Sequence, residues 1–546
     1  MPNYRKKKQH KKKRPHNDNN NNNGVNNNSR TKSPLSPNQS SDDSDDEIQQ
    51  MNTKIVAKSQ LPYEIKFSDI MGRYLVASRH LNPGELIIQE EPLAVGPCSD
   101  SDPVCLGCYH PIEFPFLDSQ FKCPGCRWPL CSAECPGIYH DNGHNKFECK
   151  LYKEKNIADL VYACKGKDVR FLYEVILPLR CLLLKLWNVE KWKTLQKMEH
   201  HNDIRKKIPS LWNRNQEVIV NQLKLSWKIN DFTEDEIHTI CGVIEVNCFE
   251  IGQLGAKARA TYPSAFLLSH DCKPNTTHTD NPQNFALTIR VTQSLSRGDP
   301  ITLSYAYTFQ GTLRRREHLQ EGKFFWCCCD RCKDPTELGT YASALKCPKC
   351  KNGTVLTENP LEQHADWNCN KCDYSASGKS VSAMLEKLFK ELDKLDPHDI
   401  LAYEDFLNKY CNVLTKDHYL NVSAKYSLCQ LYGRSEGYLI HEMPMQLLER
   451  KEQYCRDVLR IVDILEPGLS RLRGVIMYEL HAPIMIQTTK KFEMKLINTG
   501  ELRKRLKKVI ELLEESYKIL SLEPDGSNEW QMALAAKDAL KRIGNV

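Results

Sequence analysis

Residues 105–149 set the hardest constraint on what this chain can fold into. Cys105-x-x-Cys108, Cys123-x-x-Cys126, Cys131-x-x-x-Cys135 and His144-x-x-x-x-Cys149 put eight soft or borderline donors into 45 residues. So short a loop-rich segment buries little apolar surface, and four N/S donors close one tetrahedral zinc shell. Eight donors predict two structural zinc ions, with no coordination position left for water. His140 competes for the place of His144 and reads as a surface residue. The spacing suits a brace for the fold and a docking module alike.

Two more sets follow the same logic. Cys347-Pro-Lys-Cys350 and Cys369-Asn-Lys-Cys372 are paired knuckles 18 residues apart, which predicts a zinc ribbon over 345–375. In FFWCCCDRC, Cys327, Cys329 and Cys332 are three clustered thiols that need a fourth ligand. Cys272, in the polar turn LLSHDCKPN, is the distant donor expected to supply it. Zinc there would staple the later segment onto the turn and form a narrow slot, with ITLSYAY (Ile301–Tyr307) between the halves. These sets absorb 15 of the 24 cysteines. The other nine are scattered singly and are expected to be buried apolar residues, Cys328 being a bystander among ligands. Repeated C-x-x-C pairs in a large chain without a basic-then-apolar leader point to reduced thiols in the cytosol or nucleus.

A length of 546 residues leaves room for three or more modules. The net charge is +7, yet residues 1–16 alone carry eight Lys/Arg and no acid, so the remainder is close to neutral. Nucleic-acid contact is therefore expected only through this tail. Arg5–Arg14 suits a nuclear-import signal or a phosphate-binding arm, and equally a plain solvated tail. Residues 1–60 (basic, Asn-rich, then acidic) cannot bury a core; Ser33, Ser36 and Ser44 are candidate phosphorylation acceptors there. No apolar run is long enough to cross a membrane, because Glu174, Arg180 and Lys185 interrupt Phe171–Trp187.

YEIKFS, RYLVASRHL and ELIIQEEPLAV between Tyr63 and Val95 predict strands, with a turn at Asn82-Pro83-Gly84. LYEVILPLRCLLLKLW, VIVNQLKLSW and EDEIHTICGVIEVNCFEI predict helices from their three- and four-residue apolar spacing. From Ser380 onward the apolar stripes continue through seven helical stretches that Pro467, Pro483 and Pro524 punctuate.

Together these motifs resemble the SET-and-MYND family of protein-lysine methyltransferases, and the spacing and extra ribbon look most like its arthropod branch. "Gly-Arg-x-Leu-x-Ala" at Gly72, "Pro-Gly-Glu-x-Ile" and "Glu-x-Pro-Leu" resemble the opening strands of a SET domain. Cys105–Cys149 looks like a MYND finger, whose pairs interleave. That implies Cys105, Cys108, Cys131 and Cys135 on one ion and Cys123, Cys126, His144 and Cys149 on the other. The implied fold class is α+β and multidomain, with a β-rich SET domain split by the finger and a helical insert. The implied order is a tail over 1–60, the first SET part over 61–104, the finger over 105–149 and the insert over 150–245. The SET core over 246–310, a post-SET zinc region over 311–335, the ribbon over 345–375 and a TPR-like helical domain over 380–546 follow.

The resemblance also implies a site. S-adenosylmethionine would be held by Gly72, Arg73, Asn247 (the N-x-F position), Ser269, His270 and Tyr305, with Tyr305 also the catalytic residue whose hydroxyl points at the transfer point. Tyr307 would share the channel or simply pack. Three positions depart from the family pattern: Tyr74 replaces a glycine, Ser269 an asparagine, and Lys323 a tyrosine that closes the lysine channel, where Phe324, Phe325 and Trp326 could supply an aromatic wall instead. The cofactors implied are S-adenosylmethionine and Zn2+, two ions in the finger and one each in the post-SET site and ribbon. The implied partners are lysine-bearing protein tails and, at the finger, proline-containing peptides. The chain is expected to be a monomer of nucleus and cytoplasm, acting in regulation of gene expression. The rival reading is a catalytically weak or inactive docking or corepressor protein, binding through the finger and the C-terminal helices.

Overall fold

A computed structural model describes residues 61–544, apart from residues 70, 100, 118, 165, 167, 168, 253, 254 and 256. The expectations for the tail lie outside the described residues.

The three opening stretches form β1 (Tyr63–Ser68), β2 (Gly72–Ala77), β3 (Leu86–Glu90) and β4 (Ala94–Pro97). β1 and β2 make a hairpin, Ser68 opposite Gly72, whose tight reversal needs the left-handed φ of +64° that glycine adopts at no steric cost. The turn before β3 closes with the Glu85 amide donating to Asn82 O at 3.0 Å, and Gly84 takes φ +87°.

The chain then leaves the sheet at Pro97 and returns only at β5 (Phe249–Ile251) and β6 (Ala258–Thr261). β6 pairs with β4 on one side and β5 on the other, so one sheet, in the order β4-β6-β5, stitches the halves of a split domain. β8 (Thr276–Asp280) and β9 (Leu287–Val291) form a hairpin that adds β3 at its far edge, with a bulge between Leu86 and Ile88. Across that hairpin, β7 (Ser269–His270) runs parallel to β10 (Thr302–Leu303). Asn275 locks this crossing, its Oδ1 accepting from the Thr302 amide and its Nδ2 donating to Pro300 O, both at 2.8 Å.

The finger shares a core with the sheets rather than hanging from them. Trp128, Leu130 and Tyr152 are buried in the same apolar cluster as Leu75, Val95, Ala260 and Ile289. In the excursion, α1 (Lys146–Glu154) carries Cys149, and α2 (Ile176–Trp187) packs on β4. Gly96 lies where any Cβ would meet the Leu177 backbone at 2.9 Å, so the helix can approach the strand that closely only over a glycine. VIVNQLKLSW is helical, but with wide π-type turns at Gln216–Val220 and Gln222–Ser226. α3 (Glu234–Asn247) opens with a capping box between Thr233 and Glu236. It stops at Asn247, not at Ile251 as its apolar spacing suggested, because Phe249–Ile251 pairs with β6.

After β10, α4 (Thr312–Lys323) leads into the post-SET cysteines. The ribbon is an antiparallel sheet of β11 (Leu345–Lys346), β12 (Thr354–Thr357), β13 (Trp367–Cys369) and β14 (Ser375–Ala376). The C-terminal region is α5 (Gly378–Asp393), α6 (Ile400–Lys409), α7 (Tyr419–Leu431), α8 (Met445–Leu465), α9 (Arg471–Glu493), α10 (Thr499–Leu520) and α11 (Asn528–Gly544). From α6 onward each helix packs on the next. α8 has 21 residues and is roughly 31 Å long at ~1.5 Å per residue, whereas the link to α9 can span only ~18 Å. Neighbours of this length must be antiparallel. Pro483 does not end a helix: it sits buried inside α9, where packing against α7, α8, α10 and α11 outweighs the lost backbone bond.

Among the nine spare cysteines, Cys181, Cys241, Cys429 and Cys455 are buried as expected. Cys328 and Cys411 are exposed, the first between metal-ligand positions and the second just past the end of α6.

Candidate active site

All sixteen candidate metal ligands converge, in four groups of four whose donor atoms lie within 4.8 Å of one another. The finger pairs interleave: Cys105, Cys108, Cys131 and Cys135 form one group, Cys123, Cys126, His144 and Cys149 the other. Cys272 joins Cys327, Cys329 and Cys332, and the ribbon thiols form the fourth group. Sulfur pairs lie 3.6–3.9 Å apart, as in Cys123–Cys149, Cys347–Cys372, Cys350–Cys369 and Cys272–Cys327. A tetrahedron with Zn–S bonds of ~2.3 Å has edges of ~3.8 Å. The donors therefore fit zinc and are too far apart for disulfides. His140 is exposed and outside the groups.

The second finger site has a buried outer layer that the sequence reading missed. His144 Nε2 faces Cys126 Sγ at 3.2 Å while Nδ1 meets Glu148 Oε1 at 2.7 Å. Glu148 is gripped by Arg180 of α2 at 2.6 Å and 2.7 Å, and Arg180 also donates to Val95 O on β4 at 2.8 Å. One guanidinium thus fixes the histidine tautomer and welds the finger to the SET sheet. Glu148 was findable as an acid one helical turn after His144; Arg180, 32 residues away, was not.

The post-SET site has a stronger version. Arg315 of α4 donates from Nε to Cys272 Sγ at 3.3 Å and from Nη2 to Cys332 Sγ at 3.6 Å. Its Nη1 and the Nε of Arg331 share Glu337 Oε2 at 2.6 Å and 3.0 Å, all three side chains being buried. Hydrogen bonds from Cys327, Cys329 and Cys332 hold the Cys272 thiol far below its usual range, against the opposing effect of burial.

His270 carries this cluster to the tyrosine. Its Nδ1 accepts from the Tyr305 amide at 2.9 Å, so Nε2 bears the proton and donates to Cys272 Sγ at 3.2 Å. The imidazole is thus committed to holding the turn and is not free to act as a base. Burial pushes the Tyr305 phenol well up, so its hydroxyl keeps its proton and donates to Leu268 O. Ser269 Oγ is buried with no hydrogen-bond partner among the described residues.

The remaining site residues form a chain of contacts. Arg73 lies 5.6 Å from the Phe266 ring centroid, donates to Lys197 O and pairs with Glu199 at 3.4 Å. Glu199 O accepts from Asn247 Nδ2 at 2.8 Å; that amide also donates to Val243 O within α3, so its two hydrogens serve the backbone. Lys323 donates to Glu245 O at 3.1 Å and Val246 O at 2.7 Å, and its Nζ lies 5.8 Å from the Tyr305 ring centroid. Tyr305, Lys323, the end of α3, Glu199, Arg73 and Phe266 are therefore linked contact by contact. The expected aromatic wall is partly present: Phe325 lies 6.0 Å from the His270 ring, while Phe324 packs at 5.6 Å on His201 and Trp326 sits under Arg316. Tyr307 is exposed and meets Phe309 edge-on. A separate cavity of about 340 Å³ at the start of α4, lined by Arg314, Glu317, Trp367, Glu386 and Tyr419, contains none of these residues.

No family model matches the chain. The SET domain-containing protein SmydA-8, isoform B, of Drosophila melanogaster is 28% identical over 434 residues, 77% of this chain and 90% of that protein. Histone-lysine N-methyltransferase ASHR1 of Arabidopsis thaliana is 22% identical over 479 residues, 82% and 90% of the two chains. Histone-lysine N-methyltransferase SMYD3 of Homo sapiens is 26% identical over 275 residues, 48% and 59%. Over most of its length the chain is similar to SET-domain and SET-and-MYND proteins. The stitched sheet, the interleaved finger and the Cys272 staple stand where the resemblance expects SET, MYND and post-SET parts. Among solved structures, the SET domain of LSMT bound to lysine and AdoHcy covers 85% of this chain and 99% of that one, at 9% identity and a TM-score of 0.25, too low to compare folds. Among the described residues no helix is long and apolar enough to cross a membrane.

Proposed function

We propose that this chain is an S-adenosylmethionine-dependent protein-lysine N-methyltransferase acting on histone or other protein tails. One observation carries the reading. His270 ties the Cys272 cluster to the Tyr305 backbone, beside a buried Ser269 hydroxyl that has no partner among the described residues. An orphaned buried hydroxyl next to such a fixed histidine is what a bound polar ligand would satisfy. Two relatives carry the name histone-lysine N-methyltransferase.

When bound, S-adenosylmethionine supplies an activated sulfonium methyl. The chain's task is alignment, worth up to ~7–11 kcal/mol when the reacting atoms are held in line. Gly72, Arg73, Asn247, Ser269 and His270 hold the donor side. Tyr305, neutral and fixed by Leu268 O, orients the acceptor amine and excludes water. The finger docks proline-containing peptides, the C-terminal helices wall the substrate cleft, and the protein works as a monomer in nucleus and cytoplasm, in control of gene expression. Nucleic acid is met only through the basic tail.

The test is calorimetric titration with S-adenosylmethionine, followed by labelled methyl transfer to a lysate. The wild type binds and transfers. Tyr305→Phe keeps its zinc and still binds the cofactor but loses roughly 100-fold or more in transfer, the usual cost of one aligned donor. A protein that binds no cofactor refutes the reading. The docking or corepressor alternative is favoured by a single feature, the amine of Lys323 already lying against Tyr305.

A further inference from the structure

Lys323 is the feature the proposed mechanism leaves unused. Its Nζ has the Tyr305 ring 5.8 Å away and two backbone carbonyls, Glu245 O and Val246 O, as acceptors. Among the described residues no carboxylate forms an ion pair with it. A half-buried amine held by neutral carbonyls keeps its charge less readily than one in water. Burial indeed lowers its pKa, with Cys248, Glu245 and Glu250 opposing from farther away. Two N–H bonds to carbonyls leave one tetrahedral position, which is the lone pair once the third proton is lost.

Its backbone is held from both sides. Lys323 is the last residue of α4, whose Arg315 is locked to Cys272 and Cys332 and whose Arg316 donates to Cys327 O at 2.8 Å. Phe324 then turns the chain in the left-handed region, φ +61°, and Cys327 is anchored in the post-SET group. An amine so delivered has already lost the freedom that a foreign lysine must give up on entering.

We propose that Lys323 is an internal methyl acceptor, presented by its own chain to the transfer site beside Tyr305; this rests on the methyltransferase reading above. In the step, the Nζ lone pair forms a bond to the methyl carbon of the sulfonium donor. The C–S bond breaks with its electron pair going to sulfur, which leaves a thioether, and the methylated ammonium releases a proton to solvent. Methylation removes one N–H donor, so a carbonyl of α3 loses its partner and the side chain is released from the passage.

The experiment uses the full zinc-loaded chain with methyl-labelled S-adenosylmethionine, no added substrate, and peptide mapping by mass spectrometry. The expected result is methyl mass on the peptide containing Lys323, at a rate per molecule unchanged on dilution, as a reaction within one chain requires. The label is absent from Tyr305→Phe and, at this position, from Lys323→Arg, with zinc content confirming that each variant is folded. Label on other lysines or on added proteins but not on Lys323 overturns the inference and leaves the enzyme reading intact. Cofactor binding by calorimetry with no label anywhere also overturns it. Absence of cofactor binding overturns both, so the two failures are told apart.

Discussion

Removing the guanidinium of Arg315 while keeping its length, as Arg315→Met, tests whether the post-SET zinc is held by more than its four thiolates. Four thiolates around Zn2+ carry a net charge of −2. The layer around them supplies +1, from Arg315 and Arg331 against Glu337, all buried. The substitution deletes two N–H···S contacts, at 3.3 Å and 3.6 Å. Charged hydrogen bonds contribute ~1.5–3 kcal/mol each, which puts the ceiling near ~3–6 kcal/mol. Glu337 keeps Arg331 at 3.0 Å, so no orphaned carboxylate adds to the cost, and the thiolates remain satisfied by metal. The expected loss is therefore the smaller one usual for outer-layer residues, ~10–100-fold in zinc affinity. A chelator titration against a zinc indicator reads it directly. In the variant one of four equivalents leaves ahead of the rest, and cysteine alkylation then maps to Cys272, Cys327, Cys329 and Cys332. Four equivalents leaving together as in the wild type, or early alkylation in the finger or ribbon, would refute the reasoning.

The finger's weld gives a larger effect of a different kind. Arg180→Met strands Glu148, which is fully buried, and should cost ~3–5 kcal/mol in urea unfolding, with much of it recovered when Glu148→Met is added; a double variant no more stable than the single one contradicts this. His418 gives a pH signature. Burial depresses its pKa to about 3, with Glu337 opposing, so the folded state refuses a proton that the unfolded chain binds near pH ~6.5. That stability is complete above pH ~6.5 and is lost as pH falls from there toward 3. His418→Asn keeps an acceptor for the Leu420 amide and does not titrate. Its unfolding free energy in urea should therefore fall less than the wild type's between pH 7 and pH 5.5, by about 1 kcal/mol. Parallel curves for the two proteins would show that His418 takes up its proton in the fold as readily as in the unfolded chain.

The metal ligands were legible because cysteine spacing is local information and zinc tolerates few arrangements. Four closely spaced donors say what they bind wherever the backbone runs. The interleaving in the finger came from resemblance and the reach of Cys272 across 55 residues from three thiols needing a fourth ligand; the structure brings both sets of donors together. What the sequence could not reveal are partners chosen by tertiary contact. Arg180 is one charge in an apolar run, and nothing local says it grips Glu148 rather than solvent. Arg315 lies in an Arg314-Arg315-Arg316 run of which one member stacks on Phe389, one faces thiolates and one bonds Cys327 O. The end of α3 was misread because ICGVIEVNCFEI is apolar at helical and extended spacings alike. Only β6, beyond the stretch, decides that Phe249–Ile251 extends. Pro483 was misread for the complementary reason, since a helix packed against four others can lose one backbone bond and persist.

The same distinction explains why the site cannot be separated from the staple. Gly72 and Arg73 come from the first half of the split domain, Glu199 and Asn247 from the excursion between β4 and β5, Ser269, His270 and Tyr305 from the second half, and Lys323 from the helix after it. No two of these groups are held together by local backbone alone. Arg73 reaches Asn247 through Glu199, and Lys323 reaches it through the carbonyls at the end of α3. His270 reaches Tyr305 with one nitrogen because Cys272 occupies the other. If the metal at Cys272 is lost, the imidazole loses its thiolate, either tautomer becomes available, and the Tyr305 amide can lose its acceptor. Loss of post-SET zinc must therefore loosen the passage before the fold as a whole, whereas loss of finger zinc acts through Arg180 on the sheet beneath.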